Sequence, residues 1–504
     1  MSGILRYAPS PDAFHHNCEM IIMKEPLFSV PISNFLLRRV TLVWLMLSLV
    51  LFLIPAVFGL LMRSIQAQIP GISAQYFYHF LTSHGLLMVG IWFTTSLALL
   101  SFAFSSYVSP NPLLIIIAIA LIVVGALMSL WAVFIGDMAT GWYFLYPLPL
   151  RLGTVTGRVM FFAAIGVLGV GWLLWCIALF LAVAQRYTLR EALGWHYIAK
   201  ETAPNVPPMI MIAGVSLVAV IICLLMAVIL LLLFALEFLS TASNDALLMK
   251  NLVFVFGHTL VNMNLYLVIA LVYEYFPKYG GGEFKNSRML AIVWNSVLCI
   301  VLFAYFHHLY MDFAQPSVIQ YVGQFASYGA GLMAATFTIF SVLAFVMTHR
   351  MEWSFSSIAT FTAIAMWTIG GIAAVIDATI PVNFKMHNTL WVPAHFHSYY
   401  FTGAVMMMLA FMWTIAMEVS GRTEQTWIRR VVLPLLFIGG GGFVLMFYLS
   451  GMQSVPRRYA LYPALLGHGT ALSYVAVVFI LIFLLAYLVL AGVLITRMIR
   501  GLRR

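Results

Sequence analysis

Long runs of apolar residues separated by short polar segments are the dominant pattern of this chain. Runs of about 20 apolar residues are long enough to cross the roughly 30 Å hydrocarbon core of a bilayer as helices. The period-two alternation of a transmembrane barrel is absent, and lipid offers backbone groups no other partners, so helices are the expected way to cross. The pattern predicts an all-α polytopic membrane protein, a bundle of about twelve transmembrane helices in one domain, 1–504. The predicted spans are 38–63, 76–104, 112–136, 156–184, 207–238, 246–276, 289–311, 318–348, 354–377, 388–418, 430–451 and 466–496.

Composition and charge agree with a membrane protein. The chain is 63% hydrophobic and 8% charged, against roughly 45–50% apolar and 25% charged in soluble domains. Its net charge of +10 comes from Lys and Arg spread over short loops, which predicts membrane lipid as a partner and no nucleic acid. Because cytoplasmic loops carry the positive excess, we expect both termini inside the cytoplasmic membrane, with a cytoplasmic N-terminal segment, 1–37, and a basic tail, 497–504. The first span is too long for a cleavable signal peptide, so we expect it to be retained.

Histidines inside apolar spans are the most informative polar residues. A single histidine on an apolar face is usually a hydrogen-bonded core residue, and this interpretation is kept for His79, His196, His349 and His468. Six others, from four predicted helices, fall at one depth in the outer half of the bilayer: His84, His258, His307, His308, His395 and His397. Ionisable groups at such depth tend to mark function, and neutral imidazole ligates copper and iron. These six therefore predict bound metals.

The spacing of the histidines divides them among metals. His395 and His397 point about 200° apart on one helix, so they serve different metals, and a flat cofactor on each side of the helix explains the pair. His307 and His308 can share one ion with His258, which predicts a copper-type site with an open position. One histidine of the first pair would ligate an iron porphyrin facing this copper.

The other histidine of that pair would face His84 across a second porphyrin. Porphyrin propionates need cations, and Arg457 and Arg458 form a pair on the outer side, where bidentate guanidinium contacts suit carboxylates. The alternative is that these two arginines lie in a solvated loop.

The motifs around these residues resemble those of a known family. TSHG, GWYFLYPLP, GHTLV, HHLY, HNTLWVPAHFH and VPRRY occur in this order. They resemble the catalytic subunit I of the heme–copper oxidase superfamily, closest to its B-type branch, over essentially all twelve spans. The resemblance implies a respiratory electron-transport enzyme with a low-spin heme, a high-spin heme and a copper ion, CuB, for which iron is possible. It assigns His84 and His397 to the low-spin heme, His395 to the high-spin heme, His258, His307 and His308 to CuB, and His387, Arg457 and Arg458 to heme propionates.

One departure from the family pattern bears on the substrate. Oxygen-reducing A- and B-type members carry a tyrosine one helical turn after the sixth-span CuB histidine, and this chain has Asn262 there. That tyrosine supplies an electron and a proton when the O–O bond is split, whereas asparagine is not oxidised. Tyr266, Tyr305 and Tyr310 are candidate substitutes, of which Tyr310 is the best placed along the sequence.

Loss of the tyrosine favours reduction of nitric oxide to N2O, which needs only two electrons. Reduction of O2 to water by a cytochrome c or quinol oxidase, with or without proton pumping, is the alternative. A secondary transporter is a remote third possibility, and it predicts a helix broken near mid-bilayer, for which Gly439–Gly442 is the candidate. For the reductase or oxidase, the resemblance implies a cupredoxin-like or cytochrome c-like subunit II and a cytochrome c, cupredoxin or quinol as donor.

The resemblance also bears on how protons reach the site. Tyr273 fits a tyrosine position of the B-type proton path, while Ala334 and Ala335 stand where hydroxyls are expected. Thr336, Thr338 and Ser341 could compensate, and Glu274 and Tyr275 could form an inner mouth. The commoner role of Ser and Thr in spans is to bond to neighbouring helices and backbones.

Overall fold

Twelve helices long and apolar enough to cross a membrane make up the described part of the chain. A computed structural model describes residues 34–201 and 205–503. The spans are α1 Phe35–Gln66, α2 Ala74–Phe104, α3 Pro112–Phe134, α4 Val155–Ala184, α5 Pro208–Leu239, α6 Ala246–Gly280, α7 Arg288–Leu309, α8 Val318–Thr348, α9 Phe355–Asp377, α10 Trp391–Ser420, α11 Ile428–Met452 and α12 Ala464–Leu502. The described residues form no strand, and their single isolated bridge joins Thr389 and Pro456. The predicted all-α membrane bundle is confirmed.

Several helices begin where a polar cap residue meets an apolar run. The Asn111 side chain accepts a hydrogen bond from the backbone N–H of Leu113 at 2.9 Å, and Asp245 accepts from Leu248 at 2.7 Å. Such caps satisfy N–H groups that have no partner within the helix. This local chemistry explains why the starts of these helices could be read from the sequence.

The described helices extend into both of the predicted end segments. The predicted segment 1–37 lies largely outside the described residues, and α1 already begins at Phe35. The predicted basic tail, 497–504, continues α12 through Leu502. Arg497 in this stretch is buried and donates a hydrogen bond to the carbonyl of Thr423 at 3.1 Å.

Two helices lie at the centre of the bundle. In their most apolar windows, 83% of residues in α2 and 89% in α10 are buried, against 28% in α3 and in α8. The central helices carry His84, His395 and His397, so these side chains are surrounded by protein. Gly451 of α11 allows close packing here, because a Cβ at this position would lie 2.2 Å from the backbone nitrogen of Trp391 at the start of α10.

The segment expected to be broken in a transporter is a continuous helix. α11 is helical through Gly439–Gly442, and two of these glycines let helices approach each other. A Cβ on Gly439 would lie 2.6 Å from the backbone nitrogen of Phe483 in α12. Small residues at such contacts are the usual means of helix packing in lipid.

Candidate metal and cofactor site

All six predicted ligand histidines line one cavity of about 380 Å³. The cavity lies near the end of the bundle where α1 finishes and α10 begins. Its wall is mainly apolar, and Asn262, Arg457 and Arg458 contribute polar groups. His387 is not among the residues that line it, but it lies beside Arg457 and His308.

Three of these histidines form a cluster suited to a metal ion. One ring nitrogen each from His258, His307 and His308 lies within 4.8 Å of the other two. Metal-to-imidazole bonds of about 2.0–2.1 Å bring such nitrogens to within about 4 Å, so a small rotation of the rings would close the site. α6 supplies the first histidine and α7 the other two.

The end of α7 is not α-helical as the sequence suggested. Tyr305–Leu309 forms a 3₁₀ turn, so His307 and His308 project about 120° apart rather than about 100°. Both still reach the cluster with His258, because their ring centroids lie 5.1 Å and 5.3 Å from its ring.

Hydrogen bonds determine which nitrogen of His307 is free to bind a metal. Nδ1 donates to the carbonyl of Ala304 at 2.6 Å and lies 2.9 Å from Oγ of Ser327. A carbonyl only accepts, so the proton is on Nδ1 and the lone pair is on Nε2. Ser327 in turn donates to the same carbonyl at 3.1 Å, and this second contact holds the ring.

Asn262 lies against the ring of His258. Its amide Nδ2 donates to the backbone oxygen of His258 at 2.9 Å and is 3.3 Å from each nitrogen of that ring. The position one turn after His258 therefore places an amide in the cavity.

His84 and His397 face each other across the cavity. Their ring centroids are 6.4 Å apart with an angle of 22° between the ring planes. Nδ1 of His84 donates to the carbonyl of Pro55 and Nδ1 of His397 to that of Pro393, both at 2.7 Å. Since each proton is on Nδ1, both Nε2 lone pairs are free for a metal between the rings.

His395 points to the other side of α10 and lies beside a buried carboxylate. Its Nε2 is 3.6 Å from Oδ2 of Asp377 at the end of α9. Among the described residues, neither nitrogen of His395 and neither carboxylate oxygen of Asp377 has a hydrogen-bond partner. A carboxylate beside a metal-bound imidazole orients the ring and raises its basicity.

Two arginines in the loop between α11 and α12, at the end of the cavity, lack carboxylate hydrogen-bond partners among the described residues. Arg457 is placed by its backbone N–H, which donates to the carbonyl of Asn388 at 2.9 Å. The guanidinium carbon of Arg458 lies 4.2 Å from the ring centroid of Tyr143. Burial lowers the pKa of Arg457 and of Arg458 to about 10, which leaves both charged at neutral pH.

His387 shares this environment. A guanidinium N–H of Arg457 points to Nε2 of His387 at 3.4 Å. Burial first, and then the charge of Arg457, lower the pKa of His387 to about 3. The ring is therefore neutral at pH 7, and its proton is on Nδ1. Nδ1 of His387 and Nε of Arg457 are buried and have no partner among the described residues, so an anionic oxygen would suit both.

The structure adds Arg63, Ser327 and Asp377 to the residues predicted for the site. Arg63 is 5% exposed, lines the cavity and lies 3.9 Å from the ring centroid of Phe447. Its guanidinium donates to Oε1 of Gln66 at 2.7 Å. A charge at the end of a span was the available signal for Arg63 and for Asp377, whereas a single serine in an apolar helix offers none.

The candidate tyrosines fall in different places. Tyr266 lines the cavity. Tyr305 and Tyr310 do not: the Tyr305 hydroxyl donates to Oδ1 of Asn251 at 3.1 Å, and that of Tyr310 donates to the carbonyl of Ala378 at 3.1 Å. Of the three candidates, Tyr266 is therefore the one that shares the cavity with the histidines in the structure, and a substitute tyrosine stays a prediction.

The proton-path candidates form two separate contacts. The Tyr273 hydroxyl donates to Oγ of Ser341 at 3.4 Å, which is a long bond. Glu274 accepts from the Tyr107 hydroxyl at 3.0 Å and pairs with Lys278. A proton path through these groups stays a prediction.

The donor set fits the groups that the resemblance implies. Four features face or adjoin one cavity. They are the opposed Nε2 lone pairs of His84 and His397, the buried His395 with its unpartnered nitrogens, the cluster of three imidazoles, and the unpartnered N–H donors of His387 and Arg457. These features fit a polytopic membrane protein that binds metals.

Comparison with known proteins identifies the family. The family model described as Cytochrome C and Quinol oxidase polypeptide I matches residues 39–485. The chain therefore belongs to this family, the subunit I proteins of heme–copper oxidoreductases.

Individual relatives are distant in sequence. Cytochrome c oxidase subunit 1 of Thermostichus vulcanus is 22% identical over 76% of this chain and 69% of its own length. Heme-copper oxidase subunit I+III of Aeropyrum pernix is 25% identical over 84% of this chain and 52% of its own. A heme-copper terminal oxidase dimer solved by cryo-electron microscopy superposes with a TM-score of 0.74 and 18% identity over 92% of this chain and 84% of that one. At this identity the structural likeness concerns the fold alone.

Proposed function

We propose that this chain is the catalytic subunit of a respiratory reductase in the cytoplasmic membrane and that its substrate is nitric oxide. When bound, two hemes and a copper ion would supply electron transfer and gas binding. In the proposed arrangement, His84 and His397 hold the low-spin heme, His395 holds the high-spin heme, and His258, His307 and His308 hold CuB. Arg457, Arg458 and His387 bind the propionates.

The choice of nitric oxide is supported by Asn262. Its amide contacts the ring of His258 and lines the cavity, and an amide supplies no electron. Four-electron reduction of O2 at a high-spin heme and CuB alone would fall one electron short, and a nearby residue that can be oxidised, such as a tyrosine, would have to supply it. Two molecules of NO take up two electrons and two protons to give N2O and water, so a residue that can be oxidised is not required.

Two observations favour O2 as the second candidate. The relatives described above are named as oxidases, and Tyr266, one turn beyond Asn262, lines the same cavity. Under this alternative, Tyr266 would supply the electron that Asn262 cannot.

To test this, the purified, reduced complex is exposed to NO and to O2 in turn. We expect one N2O for every two NO consumed, measured by gas chromatography, and slow consumption of O2. Rapid four-electron O2 turnover without formation of N2O would reject the nitric oxide proposal. If that turnover then disappears in Tyr266→Phe, the oxidase alternative is supported with this tyrosine as the electron donor.

The electron donor and subunit II belong to the same proposal. We propose a cytochrome c, cupredoxin or quinol as donor and a cupredoxin-like or cytochrome c-like subunit II, with the metals in the periplasmic half of the membrane. Co-purification of a partner subunit and its absorption spectrum would test this part.

A further inference from the structure

A second cavity lies at the opposite end of the bundle from the histidines. It has a volume of about 250 Å³ and is formed by the beginning of α1 and the ends of α10 and α12. We call it the terminal pocket. Its lining residues are Phe35, Arg38, Arg39, Leu42, Val419, Gly501 and Leu502.

The terminal pocket is at the level of a membrane surface. Val40–Met62, the part of α1 between Arg39 and Arg63, contains no charged residue in 23 positions. At 1.5 Å per residue this stretch is about 34 Å long, close to the roughly 30 Å thickness of the hydrocarbon core. Arg38 and Arg39 therefore lie where phospholipid headgroups begin.

Neither of the two arginines forms an ion pair with a described carboxylate. Arg39 donates weakly to the carbonyl of Leu502 at 3.4 Å and lies 4.1 Å from the ring centroid of Phe35. The guanidinium of Arg38 has no hydrogen-bond or ion-pair partner among the described residues, although its charge acts on Glu418 nearby. Both are therefore available to an anion.

Further positive charge surrounds this end of the bundle. Arg422 and Arg500 lie close enough to Arg497 to repel it electrostatically. Glu424, an acid in the same loop as Arg422, is already paired with Arg429 at 3.6 Å. The charge surplus favours a negatively charged ligand.

The membrane-facing side of the terminal pocket is apolar. Val43 and Val50, on one face of α1 and on the membrane side of the arginines, are each 52% exposed, and exposure of large apolar residues next to arginines is the pattern of a lipid-contact surface. Basic pockets between transmembrane helices on the cytoplasmic side bind anionic headgroups, and guanidinium groups bind phosphate in bidentate fashion.

We propose that the terminal pocket binds one anionic phospholipid, with its phosphate between Arg38 and Arg39 and an acyl chain along α1 from Val43 toward Val50. This site is independent of the substrate and of the metals. Its ligand is a lipid and not free phosphate, because the apolar face continues from the arginines into the membrane.

The test counts lipids on the intact complex. The complex is washed extensively in detergent and titrated with phosphatidylglycerol in mixed micelles, and bound lipid is measured by native mass spectrometry. We expect one phosphatidylglycerol per chain and no comparable binding of phosphatidylcholine. Replacing both arginines by Gln (Arg38→Gln with Arg39→Gln) should weaken binding about tenfold or more, and the two corresponding Lys substitutions should retain most of it.

The matched control removes two exposed charges from the same end of the molecule, Arg350→Gln with Arg430→Gln, and should bind lipid like the original protein. Circular dichroism and gel filtration check folding, and Arg38→Gln alone replaces the double variant if that variant does not fold. Unchanged binding in the arginine variants, equal binding of phosphatidylcholine, displacement by inorganic phosphate, or no binding by the original protein would each overturn the proposal.

Discussion

At the scale of single residues, the candidate site depends on the hydrogen-bond partners of the histidines as much as on the histidines themselves. Three of the candidate ligand imidazoles are oriented by a hydrogen bond at Nδ1, which leaves Nε2 free. Carbonyls do this for His84 and His397, and the carbonyl of Ala304 together with Ser327 does it for His307. Outer contacts of this kind commonly change metal affinity 10- to 100-fold when removed.

Ser327→Ala tests this contribution. We expect copper retention during dialysis against a chelator to weaken about tenfold, at the lower end of that range, because the carbonyl of Ala304 still accepts from Nδ1. The measurement is copper per chain by elemental analysis, with heme content as an internal reference.

Ser341→Ala is the matched control for that substitution. Ser341 lies on the same helix and does not line the cavity, so its loss should leave copper retention unchanged. Equal copper loss in the two variants would show that the hydroxyl of Ser327 does not hold the ligand.

At the scale of elements, irregular helix segments carry or adjoin several of the candidate ligand histidines. The 3₁₀ turn at the end of α7 carries His307 and His308, and a π-helical segment, Ser398–Val405, follows His397 directly. Such segments often occur at functional sites. Close helix contacts at glycine then set where α10 begins.

Gly451→Ala tests the contact between α11 and α10. The added methyl would meet the backbone of Trp391 at 2.2 Å, which a rigid backbone cannot avoid without moving the start of α10. We expect a loss of about 1–3 kcal/mol in stability, as for other overpacked sites. The readout is thermal denaturation followed by circular dichroism.

The same helix contains the control for this prediction. A Cβ on Gly441 would meet nothing within 4 Å, so Gly441→Ala should leave the melting temperature unchanged or slightly raised. If both substitutions destabilise the protein equally, the cause is the helix itself and not the contact with Trp391.

At the scale of the whole molecule, twelve spans bring both described ends of the chain to the same side of the bundle. The cavity with the histidines lies toward the other side. Lys and Arg in the loops predict that the termini are cytoplasmic, which would place the histidine cavity in the periplasmic half.

Cysteine labelling tests this orientation. Gly71→Cys lies in the exposed loop between α1 and α2, and Gly281→Cys lies in the exposed loop between α6 and α7. In a background with Cys18→Ser and Cys299→Ser, a membrane-impermeant maleimide added to intact cells should label position 71. Position 281 should react only after lysis, and the reverse result would invert the predicted orientation.

Much of the architecture could be predicted because the local sequence determines whether a segment spans the bilayer. The length of an apolar run decides whether a helix spans the bilayer, and cap residues such as Asp245 decide where it starts. The spacing of His395 and His397 likewise determines that they face opposite ways, since both lie on one helix. The resemblance to a family rests on motifs of the same local kind.

Contacts between distant segments could not be predicted in this way. Asp377 meets His395 and Ser327 meets His307 only because α9 and α8 pack beside α10 and α7. No local pattern in the sequence encodes such a pairing. The sequence alone determined the helices and the depth of the histidines. Only the tertiary structure decided which side chains contact the histidines and that Asn262 and His258 line the same cavity as the others. The reason is that helix packing brings together residues that are far apart in the chain.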